Sequence, residues 1–132
     1  MDERQEWRHE ATLPAEPASV FRARAFVCRH LLEHRLWHLV DPVRVVASEL
    51  STNAAAGADT SFTVSLWATG GRVYVAVRDG SEAGVGASAD PGPRGRLRLT
   101  IVALLSEDWG VTPDGPRGGE VWASFAALPA PA

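Results

Sequence analysis

Between Ser61 and Asp79 the chain alternates twice and turns once, and few folds accommodate that pattern. Phe62, Val64 and Leu66 alternate with Ser61, Thr63 and Ser65. Gly70-Gly71 follows, and the run Val73-Tyr74-Val75-Ala76-Val77-Arg78-Asp79 returns. A period of two predicts strands with one apolar face, and the paired glycines predict a hairpin turn. Asp79 shares the parity of Val73, Val75 and Val77, so a carboxylate at the strand's end points the way of the apolar face. A buried charge is costly without a partner. Asp79 therefore reads either as a turn-forming residue or as an acceptor for a ligand.

The hairpin needs cover, and the flanking segments supply it. Trp7 to Leu13 reads as a short strand closed by Pro14 and Pro17. A first helix is expected from about Ala18 to Leu36, with Val20, Phe21, Ala25, Cys28, Leu31 and Leu32 on its apolar side. Asp41-Pro42 places an N-cap before a proline at the first helical position. A second helix then runs to about Ala56 with the stripe Val43, Val46, Ala47, Leu50 and Ala54, and Gly57 terminates it. Glu49 and Asn53, the chain's single asparagine, fall at i and i+4 on the border of that stripe. Carboxylate plus amide oxygen is a hard-oxygen set suited to magnesium; it is also an ordinary polar helix edge. Gly80 to Arg96 is rich in Gly, Ala, Ser, Pro and Asp and aperiodic, and a loop of this length in a small domain is usually functional or disordered. A third helix is expected from about Leu97 to Trp109, ended by Gly110, and Gly118 to Phe125 reads as a final strand. The whole chain, 1–132, reads as one domain with a Pro/Ala tail over 127–132.

Composition excludes several functional classes. At 132 residues and a net charge of −3, the chain has one core and no electrostatic footprint for nucleic acid. No apolar run approaches the roughly 18–20 residues that span a bilayer. The charged start Met1 to Glu6 does not resemble a secretory signal. Cys28, the single cysteine, sits in an apolar helical pattern and reads as a buried, inert thiol. A cytoplasmic location is expected. All 13 basic residues are arginine, a usage similar to that of GC-rich bacteria such as actinomycetes, and it leaves no lysine for Schiff-base or phosphate chemistry. His30, His34 and His38 recur every four residues between Arg29 and Arg35. They read as a solvated helix face, with a metal stripe as the sharper alternative.

Taken in order, the Glu-x-x-x-Asn helix, the strand-end Asp79, the glycine-rich segment, Trp109-Gly110 and the Val121-Trp122-Ala123 strand resemble the GHKL ATP-binding domain over about Trp7 to Phe125. The nearest resemblance is to small actinobacterial anti-sigma factor and serine-protein kinase regulators. It implies the Bergerat fold: an α+β two-layer sandwich, a mixed and mostly antiparallel sheet with about three helices on one face. It implies ATP and Mg2+ as cofactors, with Glu49 as catalytic base or water positioner and Asn53 as metal ligand. Asp79 would accept from the adenine amino group, and Ser81 follows in the adenine-reading strand end. Gly95, Arg96 and Arg98 fall at the phosphate end of the lid, Gly80 to Gly95, where backbone N–H groups and a helix N-terminus would cradle phosphates. The implied partner is a sigma factor or an anti-sigma antagonist, with a homodimer as a further possibility and Trp7, Trp37 and Trp67 as interface candidates.

The pattern is also damaged. Gly57 stands where the family has histidine, Ser81 where it has glycine, and Gly119 near its usual lysine. Counted back from Trp109-Gly110, Arg96-Leu97-Arg98 replaces Gly-Arg-Gly. Side chains hinder the close approach of backbone to phosphate that glycine permits, while Arg94, Arg96 and Arg98 offer charge-assisted contacts instead. Two functions follow as expectations: an ATP-binding regulator that binds a sigma factor or antagonist and phosphorylates a serine on the antagonist, or a degenerate interaction module of the same fold without catalysis.

Overall fold

The computed structural model describes residues 6–57, 60–79, 92–112 and 119–128. In chain order these form β1 (Trp7–Pro14), α1 (Ala18–Glu33), a 3-10 turn (Trp37–Leu39), α2 (Val40–Gly57), β2 (Ser61–Thr69), β3 (Arg72–Asp79), α3 (Gly92–Leu105), β4 (Asp108–Thr112) and β5 (Glu120–Ala126). The five strands make one sheet in the order β1-β2-β3-β5-β4, and all four pairings are antiparallel. The helices pack against one face, giving an α+β two-layer sandwich. None of the helices among the described residues is long and apolar enough to cross a membrane.

The hairpin sets the register of the sheet. Phe62, Val64, Leu66 and Ala68 stand opposite Asp79, Val77, Val75 and Val73. Gly70 and Gly71 take φ of 61° and 79°, the consecutive left-handed pair that a tight hairpin turn requires and that side chains resist. Phe62, Val64, Leu66, Val73 and Val75 are fully buried. They share one core with Val27 and Leu31 of α1, Val43, Val46, Ala47 and Leu50 of α2, and Val102 of α3.

The opposite face of the sheet is covered by its own side chains. Trp67 stacks on Tyr74 at 5.1 Å, and the Arg8 guanidinium lies 4.7 Å above the Trp67 ring. The small residues Thr63, Ser65, Ala76 and Ser124 are buried on this side. Of the tryptophans named as interface candidates, Trp37 is exposed, whereas Trp7 and Trp67 are both stacked on other rings.

Several boundaries and phases differ from the sequence expectation. Helix α1 ends at Glu33 rather than at Leu36. Arg35 adopts φ 60° and Leu36 N–H donates to the Leu31 carbonyl at 2.9 Å, a C-terminal cap of the Schellman kind with an arginine in the left-handed position. The buried line of α1 is Ser19, Ala23, Val27 and Leu31, while Phe21 is 68 % exposed and Leu32 49 %. Small residues at the first two of those positions admit close packing, which outweighs the larger apolar area of Phe21. Helix α2 begins at Val40, continuous with the 3-10 turn, so Asp41 lies inside its first turn and pairs with Arg44 at 3.2 Å instead of capping it. Helix α3 starts earlier than expected, at Gly92, with Pro93 in its first turn, a position where proline costs nothing.

The Trp109-Gly110 pair ends no helix; it lies in β4. Gly110 pairs with Trp122 in register, and a Cβ built on it would stand 2.8 Å from Trp122 Cζ2. The glycine answers to an indole lying across the neighbouring strand, not to a turn. Strand β5 begins at Glu120. Gly118 and positions 129–132 of the expected tail lie outside the described residues.

Candidate functional site

The border position of Glu49 and Asn53 on α2 turns them toward the start of α3. Asn53 Nδ2 donates to the Gly95 carbonyl at 3.2 Å, and Arg98 Nη1 donates to Asn53 Oδ1 at 3.0 Å. Arg98 Nε lies 3.8 Å from Glu49 Oε2, with both side chains about three-quarters buried. One guanidinium therefore engages the carboxylate and the amide oxygen together, and the amide nitrogen is satisfied by backbone. The seam between α2 and α3 is thereby fastened by polar contacts in a setting where charge-assisted hydrogen bonds are stronger than on an open surface.

Asp79 closes β3 on the side expected from parity. It is 7 % exposed, opposite Phe62, on the face that carries Val73, Val75 and Val77 against the helices. Gly95 is buried in the first turns of α3, whereas Arg96 is exposed. The structure thus brings Glu49, Asn53, Gly95 and Arg98 into one contact set and buries Asp79 at the end of β3. Ser81 and most of the lid segment, Gly80 to Pro91, lie outside the described residues.

The donor chemistry is compatible with a cation. Glu49 and Asn53 present one oxygen each toward a single positive group, and the group seated there is the Arg98 guanidinium. A magnesium ion would be held by Asn53 Oδ1, with Glu49 beside it, once Arg98 turned away, and would supply charge neutralisation to bound phosphates.

A groove of about 440 Å³ runs along α1 and α2 past Phe21, Arg24, Cys28, Arg44, Ser48 and Glu49. Cys28, expected to be buried, is only partly covered and lines this groove, although burial still pushes its thiol above the ordinary value.

A second polar cluster was missed in the sequence. His30 and His34 were expected on a solvated face, yet both meet β1. The His9 ring stacks on His30 with centroids 3.8 Å apart, and His9 Nε2 lies 2.9 Å from His34 Nε2. His34 in turn stacks on Trp7 at 3.8 Å. His38 is set apart, near the Ala126 carbonyl at 3.4 Å. The i, i+4 spacing of His30 and His34 was the available signal; the strand partner His9 lies too far away in sequence for any local pattern to reveal it.

No protein-family model and no curated protein matches this chain.

Proposed function

We propose that the chain is an ATP-binding regulator of the GHKL kind, in which Mg-ATP is taken at the seam between α2 and α3. The observation that carries this reading is the convergence of Glu49 and Asn53 on one cationic group, Arg98; a buried strand-end carboxylate, Asp79, on the helix-facing side of the sheet supports it. In this reading Asn53 Oδ1 holds the metal, Asp79 accepts from the adenine amino group, and Arg98 passes from Asn53 to a phosphate oxygen. Glu49, released by the same movement, orients or deprotonates the hydroxyl of a serine on an antagonist protein. Positioning and charge stabilisation are sufficient for phosphoryl transfer. The partner is a sigma factor or its antagonist, the setting is the cytoplasm, and a homodimer is the assembly that the resemblance implies.

One observation favours a second reading. Asn53 is satisfied on both of its polar atoms by Gly95 and Arg98, and Arg98 itself stands at a position where the resemblance implies glycine. A seam locked by its own arginine suits a degenerate member that serves only as a protein-interaction module.

Calorimetry with Mg-ATP separates the two. The first reading expects binding by the wild type, loss of its magnesium dependence in Asn53→Ala, and about tenfold weaker binding in Arg98→Ala. That factor is the lower end of what a charge-assisted hydrogen bond contributing about 1.5–3 kcal/mol implies, roughly ten- to a hundredfold. No heat from the wild type at high micromolar protein supports the interaction module. Binding that strengthens in Arg98→Ala means that the guanidinium blocks the site rather than serving it.

A further inference from the structure

The histidine cluster between β1 and α1 stands apart from the α2–α3 seam and has no place in nucleotide binding. One ring nitrogen of His9, one of His30 and a carboxylate oxygen of Glu33 lie within 4.8 Å of one another. His30 Nδ1 is 2.7 Å from Glu33 Oε1. We infer that His9, His30 and Glu33 form a site for a divalent transition-metal ion of the zinc or copper class, with His34 as the residue that positions His9.

The donor set carries the choice of ion. Two imidazoles and one carboxylate suit zinc, copper or nickel, whereas calcium and magnesium take oxygen. Three protein ligands leave a fourth position to water, the arrangement of an open rather than a closed zinc site. His9 Nε2 is engaged by His34 at 2.9 Å, which leaves His9 Nδ1 as the nitrogen available to an ion. His34 is itself held flat against Trp7, with the two rings inclined by only 3°. A second imidazole that fixes tautomer and ring direction does for His9 what outer partners do for metal-binding histidines generally.

The His9 imidazole is disposed to ligate in its neutral form. Burial and the neighbouring His30 hold His9 below the usual histidine range, and burial together with His9 does the same for His34. The Glu33 side chain is about half exposed, while that of His30 is largely covered, so an ion enters from the Glu33 side. The His9 and His30 planes are inclined by 11°. Each lone pair lies in its own ring plane, so an ion shared by both must tilt the rings out of this stack. Loading consequently disturbs the His9–His30 stack and, through the His9–His34 contact, the His34 ring that lies against Trp7.

The test is zinc chloride titrated by calorimetry into the tag-free full chain, with copper(II) quenching of tryptophan fluorescence as a second readout. One ion per chain is expected. Removing a ligand, in His9→Gln, His30→Gln or Glu33→Gln, weakens binding by more than the roughly 10–100-fold typical of outer-shell partners. His34→Gln weakens it within that range, and His38→Gln leaves it unchanged. Absence of binding below millimolar zinc would overturn the assignment. So would affinity that survives Glu33→Gln and His30→Gln, or one lost equally in His38→Gln. Glu33 is on the surface, so its variant keeps the test valid even if a change at His9 unfolds the chain.

Discussion

Replacing Phe62 by alanine lowers the free energy of unfolding by about 3–5 kcal/mol, a large share of the roughly 5–15 kcal/mol that holds a domain together. Phe62 is the largest of the fully buried side chains, and it sits in the cluster shared by all three helices. Its truncation removes transfer energy and leaves a cavity that the rigid hairpin beneath it collapses into only partly. The corresponding fall in melting temperature is on the order of 10–20 °C for a chain of this size. Thermal and denaturant unfolding of Phe62→Ala and Phe62→Leu read this out, with leucine recovering much of the loss. Phe62 also stands opposite Asp79 in register, so the same cavity loosens the strand end that carries the candidate adenine acceptor. A shift of under about 1 kcal/mol, the scale of surface substitutions, would show that Phe62 is not the keystone of the core.

Gly110→Val is the second large effect. The added Cβ meets Trp122 at Cζ2, Cε2 and Nε1, at 2.8, 3.0 and 3.1 Å. The contacts fall on the body of the indole rather than on the end of a flexible side chain. Trp122 is also near Tyr74, at 6.3 Å between centroids, so the ring has limited room to retreat. Overpacking of this kind costs about 1–3 kcal/mol, and the valine methyls place the variant toward the upper end. Near-ultraviolet circular dichroism together with a melting curve checks it: stability falls and the tryptophan signal changes. An unchanged melting temperature would mean that β4 shifts freely along the sheet edge, contrary to its five-residue register with β5.

The parts of the fold legible in the sequence were those written in local periodicity. Alternation of Phe62, Val64 and Leu66 with small polar residues, the glycine pair and the parity of Asp79 were enough to place the hairpin and the inward carboxylate. Helix α2 was legible for the same reason, since the stripe Val43, Val46, Ala47 and Leu50 at i, i+3, i+4 and i+7 is the line it buries. Helix α1 was read out of phase because Phe21 and Leu32 are apolar yet exposed, while the seam-forming Ser19 and Ala23 carry little hydrophobic signal. Strand β4 was missed because Trp109-Gly110 resembles a helix stop when its real constraint, Trp122, comes from a strand twelve residues on in register.

The candidate site shows the same division. Glu49, Asn53 and Asp79 could be placed from spacing and parity alone. The role of Arg98 could not, because it depends on how α3 is laid against α2. Helix α3 starts at Gly92, which brings Gly95 into the first turns and sets Arg98 opposite Asn53. The histidine cluster depends likewise on the docking of β1 beside α1. Each of these features is a tertiary contact between segments with no shared local pattern.

The central claim is that an adenine nucleotide, rather than any polyphosphate, is recognised at the end of β3. Its most direct test compares Mg-ATP with inorganic tripolyphosphate on the wild type and on Asp79→Asn, with melting curves to show that both are folded. Loss of a charge-assisted acceptor predicts ATP binding weaker by about tenfold or more, with tripolyphosphate unaffected. Equal weakening of the two ligands, or ATP binding indifferent to Asp79→Asn, would contradict it.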